Sequence, residues 1–121
     1  MIQKNDLIPD EVLYSCKWDY KSDSPTQDIT HYVYLTKTKL YDYTYDNTIK
    51  AYTYEVCLVK DFSNIEHKPN HIASSGPETR SIHIMGRHDL CRPIREYFFQ
   101  NTVEGRKISE ELFIAIAKAM G

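Results

Sequence analysis

Apolar and polar residues alternate one for one along EVLYSCKWDY, so that Val12, Tyr14, Cys16, Trp18 and Tyr20 share one side and Glu11, Ser15, Lys17 and Asp19 the other. A period of two marks a half-buried strand. Near the end of the chain the period changes: Ile108, Leu112, Ala115, Ile116 and Ala119 recur at helical spacing and form one apolar stripe. Asn101, with Glu104 three residues on, is the expected cap of that helix. A chain that alternates first and turns helical only at its end is an α+β fold, mostly antiparallel strands closed by one C-terminal helix.

The segments between fill in the strands. Residues 29–37 (ITHYVYLTK) are β-branched and aromatic, a tight Lys37-Thr38 turn follows, and 38–45 and 51–58 alternate again. Residues 59–65 read as a strand ending near Asn64, and 80–86 with 91–100 as a hairpin around Arg87 to Leu90. Pro93 there marks an irregular start or an edge. The stretches 21–28 (KSDSPTQD) and 67–79 carry the Ser, Asp, Pro and Gly content of loops.

Half of the ten tyrosines fall in YDYTYDNTIKAYTYE: Tyr41, Tyr43, Tyr45, Tyr52 and Tyr54. With an even loop, such as 46–49, Tyr43 faces Tyr52 and Tyr41 faces Tyr54 across a hairpin. These tyrosines share parity with Val56 and Leu58, whereas Asp42, Thr44, Thr53 and Glu55 lie opposite. The expectation is therefore a core-facing ladder with its hydroxyls at the margin. The alternative is an exposed aromatic recognition surface.

A length of 121 residues suits one domain, taken as residues 11–121 after a lead-in of 1–10. The 15 basic and 17 acidic residues leave a net charge of −2, so no whole-molecule field draws the chain to nucleic acid or an anionic bilayer. Three widely spaced cysteines, Cys16, Cys57 and Cys91, fit free thiols in a reducing compartment better than a disulfide framework. Neither a leader nor a long apolar span is read, and the expected location is the cytoplasm.

Order and wording together carry a resemblance. LIPDEVLYS (7–15) resembles the opening of bacterial pleckstrin-homology (PH) and GRAM-like domains, and YVYLTKTKLYDY (32–43) is similar to their second and third strands. LVKDFSNIEHK (58–68) looks like their fourth-to-fifth strand passage, and EGRKISEELFIAIAKAM like their closing helix. The resemblance implies a partly open barrel or sandwich of about seven antiparallel strands capped by the helix. It also implies a non-enzymatic module that binds a protein partner or itself, since bacterial relatives can form rings. Phosphoinositide binders of the class use basic residues in the first inter-strand loop. Here Lys21 is outnumbered there by Asp19, Asp23 and Asp28.

Positive charge gathers elsewhere. Arg80, Arg87, Arg92 and Arg95, with His83 and His88, fall within sixteen residues, and planar guanidinium groups suit an acidic protein segment or another anion. The site expectation is thus Arg80, Arg87, His88, Arg92 and Arg95 for a protein or anion, with the five tyrosines as an aromatic surface. A lipid headgroup at the arginine hairpin is the second reading. Asp42 and Asp46 among the tyrosines oppose nucleic acid. His67 with His71, and His88 with Cys91, are isolated pairs short of a metal site, and no cofactor is expected. Walker, dinucleotide, HExxH and Gly-x-Ser-x-Gly patterns are missing. Cys91, beside Arg92 and His88, is the one thiol with activating neighbours, and no enzymatic activity is expected.

Overall fold

The structure, a computed structural model, describes residues 11–23, 26–70, 79–87, 92–100 and 102–121. Seven strands form two antiparallel meanders: β1 (Val12–Asp23), β2 (Thr26–Thr36), β3 (Lys39–Asp46) and β4 (Ala51–Leu58) in one sheet, β5 (Phe62–Asn70), β6 (Thr79–Gly86) and β7 (Pro93–Gln100) in the other. Helix α1 (Val103–Met120) follows and packs on β1, β5, β6 and β7. The architecture is a sheet-rich α+β fold, and the sheets do not close into a barrel.

The helix is built as its stripe dictates: Leu112 and Ile116 are fully buried, with Ile108, Ala115 and Ala119 packed around them. Its cap is Thr102, whose hydroxyl accepts from the Gly105 amide at 3.0 Å, while Asn101 lies outside the described residues. Gly105 lets the first turn close on β7, because a Cβ there would stand 2.0 Å from the Gln100 carbonyl oxygen. The core between sheets and helix gathers Trp18, Tyr20, Val33, Leu35, Leu40, Phe62, Ile82, Ile84, Tyr97 and Phe99. Trp18 stacks on Phe99 and donates its indole N–H to the Phe98 carbonyl at 2.9 Å, stitching β1 to β7.

Several boundaries differ from the sequence expectation. Most of 21–28 is strand, since pairing continues through Lys21↔Asp28 to Asp23↔Thr26. Antiparallel hydrogen bonds extend the ribbon through polar residues, which turn composition alone does not reveal. The expected strand from Val59 is interrupted by a 3-10 turn, Val59–Asp61, that carries the chain from one sheet to the other. Strand β5 then continues to Asn70, through part of the expected 67–79 loop. Its Pro69 is tolerated because β5 is an outer strand of its sheet. Residues 71–78 and the Arg87 to Leu90 turn beyond Arg87 lie outside the described residues.

The β3–β4 turn is 47–50, one residue later than expected. The Asp46 carboxylate accepts from the Thr48 amide at 2.9 Å while Asp46 itself stays paired with Ala51, and Lys50 closes the turn at φ 55°. The pairs are therefore Tyr45↔Tyr52, Tyr43↔Tyr54 and Tyr41↔Val56.

Candidate functional site: an open edge strand and its tyrosines

Register decides which face of the first sheet is which. Across its strands Trp18 pairs with His31, Val33 with Asp42, and Asp42 with Glu55, so these residues share a face. That face looks into the molecule, because Trp18, Val33, Leu35 and Leu40 on it belong to the main core. The tyrosines of β3 and β4 therefore occupy the opposite, outer face with Tyr32 and Tyr34, seven of the ten in all. This corrects the expectation of a ladder facing the core.

On the outer face Tyr41 and Tyr43 are buried in a second, smaller cluster with Val12, Tyr32 and Tyr34. A register shift between Val12 and Tyr14 brings Val12 to this cluster, whereas Tyr14 and Cys16 pack on the main core. Burial pushes the Cys16 thiol up to about 12, the state of a packed, inert cysteine. The Tyr43 ring lies 4.6 Å from Tyr54 and 5.9 Å from Tyr34, and Tyr45 lies 4.7 Å from Tyr52. The β4 members of these pairs remain open: Tyr52 is 50%, Tyr54 51%, Val56 38% and Leu58 37% exposed.

The inner face carries the polar residues because a partner reaches them from the other sheet. Arg95 projects inward from β7 beside Tyr97; its guanidinium bonds the Asp42 carboxylate and donates to Glu55 Oε2 at 2.6 Å. The Thr44 hydroxyl donates to Asp42 Oδ1 at 3.0 Å, and His31 Nδ1 lies 3.1 Å from that hydroxyl. Burial works to raise the Asp42 carboxyl, but His31, the Arg95 charge and Thr44 outweigh it and hold it below the usual carboxylate range.

Strand β4 is an outer strand of its sheet, as β1 is at the other side, with β3 next to it and no second strand bonded to it among the described residues. Outer strands are normally blunted by lysine, proline, a bulge or an inward charge. The corresponding strand of the other sheet, β5, carries an exposed Lys68 and has Pro69 in its sequence. AYTYEVCL contains neither residue type, its pairing with β3 runs without a register shift, and its one charge, Glu55, is engaged by Arg95.

The expected arginine site does not gather on one surface. Arg95 serves the inner network, and Arg80 is half-buried at the start of β6. Arg87 lies beyond the other end of that strand, about 23 Å away at roughly 3.3 Å per residue. Arg92 is exposed, and His88, Cys91 and His71 lie outside the described residues. Arg87 donates from Nε to the Lys60 carbonyl at 2.9 Å and joins Lys37 and Lys60 around a cleft of about 440 Å³ floored by Phe62 and Met120. Sequence reasoning missed Asp42, Glu55, Val56 and Leu58. The available signal was the parity of Arg95, which falls in step with Tyr97 and Phe99 and therefore points inward with them.

No helix among the described residues is long and apolar enough to cross a membrane. Comparison with models of known families, with curated proteins and with solved structures returned no match.

Proposed function

We propose that the chain is a non-enzymatic interaction module of the PH-like class, which binds by adding an extended strand to β4. The order of seven strands in meanders of four and three, closed by a helix, supports the class. The observation that carries the binding mode is the unguarded β4 edge with its row of exposed Tyr52, Tyr54, Val56 and Leu58. Backbone groups along such an edge supply affinity, and side chains at alternate positions supply selectivity. Selection from a library of displayed eight-residue peptides tests this. Sequences with apolar residues at every second position should be enriched on the wild type and lost on Tyr54→Lys, which places a guard on the edge at a position outside the main core. Enrichment indifferent to Tyr54→Lys would remove β4 as the site.

A second reading, anion or phospholipid-headgroup binding, draws on the cleft with Lys37, Lys60 and Arg87 on its rim and apolar residues on its floor. Binding of that kind weakens steeply as salt rises, whereas strand addition at β4 changes little. Titration with vesicles containing anionic lipid at low and high salt separates the two.

A further inference from the structure

Resting on the reading of β4 as a strand-accepting edge, we infer that the strand it accepts is β4 of a second copy, antiparallel and centred on Tyr54. A two-fold axis perpendicular to the sheet keeps both outer faces on the same side, so facing residues must share parity. Four centres bring most of the eight residues into contact. A centre at Glu55 sets two carboxylates against each other, and centres at Thr53 or Val56 shorten the ladder. The centre at Tyr54 pairs seven residues of Ala51–Leu58: Tyr52 meets Val56 of the other copy on both sides of a Tyr54–Tyr54 contact, and Glu55 faces Thr53. Aromatic against β-branched and aromatic against aromatic are the favourable cross-strand pairs. Like charges are kept apart, and each Glu55 stays bound to its own Arg95.

The area fits a modest contact. A tyrosine carries about 150–250 Å², so the half-exposed row with its backbone offers on the order of 500 Å² per copy, near the lower bound for a specific interface. The dimer is therefore concentration-dependent and joins two four-stranded sheets into one of eight, with the tyrosine faces continuous.

Oxidative cross-linking of Tyr54→Cys, with light scattering on the wild type, tests the register and the state. Residue 54 faces itself at roughly 5 Å between Cα atoms, within disulfide reach, whereas residue 56 is offset four places from its copy, about 13 Å along the strands. Tyr54→Cys should give a covalent dimer at twice 14.2 kDa, Val56→Cys should not, and the double variant Tyr52→Cys/Val56→Cys should again. The wild-type mass should rise toward the dimer with concentration, and Tyr54→Lys should stay monomeric. Equal cross-linking at 54 and 56, or a wild-type monomer at every concentration up to about 1 mM, overturns the inference. In that event peptide enrichment lost on Tyr54→Lys leaves the strand-accepting edge standing, while its absence removes both readings.

Discussion

The two faces of the β1–β4 sheet exchange the roles that side-chain polarity assigns to them. The inner face holds a buried carboxylate, a histidine and a threonine; the outer face holds seven tyrosines, two of them buried and two of them half exposed. A polar face can turn inward when an arginine 53 residues away answers it. A tyrosine face can turn outward because each ring has an apolar body and a polar tip. Within the outer face the same contrast recurs between neighbouring strands, since Tyr43 is buried and its cross-strand partner Tyr54 is open.

The sharpest way to break this contrast is to remove Arg95. Arg95→Ala takes the guanidinium from a buried carboxylate, leaving Asp42 with Thr44 and His31, and should cost about 3 kcal/mol in urea unfolding. Replacing both partners, Asp42→Leu with Arg95→Met, should recover most of that loss. A cost below about 1 kcal/mol for Arg95→Ala would show that the inner network does not hold the sheets together. Next comes the outer face: Tyr43→Ala should cost about 3 kcal/mol, as for a buried aromatic, and Tyr54→Ala less than about 1 kcal/mol in the monomer. Equal costs would erase the distinction between the two strands.

Acid adds a further test. The Asp42 carboxyl sits lower in the folded chain than its ordinary value, so the unfolded chain takes up the proton first as pH falls. Its contribution is complete above the ordinary carboxylate value and is lost as pH drops through the folded one. Asp42→Asn should flatten this acid limb in unfolding curves recorded against pH. The smallest effect belongs to Glu55→Gln, below about 1 kcal/mol, because Glu55 is half exposed and Arg95 keeps Asp42.

Much of the fold was legible in the sequence, for identifiable reasons. Strict alternation marked β1 from Val12 to Tyr20, the Lys37-Thr38 turn separated β2 from β3, and the stripe from Ile108 to Ala119 marked the helix and its buried side. What failed were inferences from polarity about depth. Asp42 was placed opposite the core because it shares its face with Thr44, Thr53 and Glu55, and the partner that lets it turn inward lies on the other sheet. The arginines spread for the complementary reason: Arg80 and Arg87 stand at opposite ends of β6, and Arg95, opposite Ile84, reaches to Asp42 on the inner face, so nearness in sequence became separation in space. The pairing of the tyrosines slipped by one residue because Asp46 closes the hairpin as a capping side chain instead of entering its loop.

The stitch from Trp18 to the Phe98 carbonyl has a consequence in time. The first sheet is complete in sequence at Leu58, yet Arg95 and the Phe98 carbonyl, the partners of Asp42 and Trp18, arrive only with β7. At about 5–20 residues per second of synthesis, the interval from residue 58 to residue 98 lasts about 2–8 s. Throughout it the four-stranded meander waits with Asp42 lacking Arg95, Trp18 without its acceptor and the β4 edge uncovered. Neighbouring nascent chains on one message present the same edge during the same seconds, so first encounters between copies can precede the completion of either.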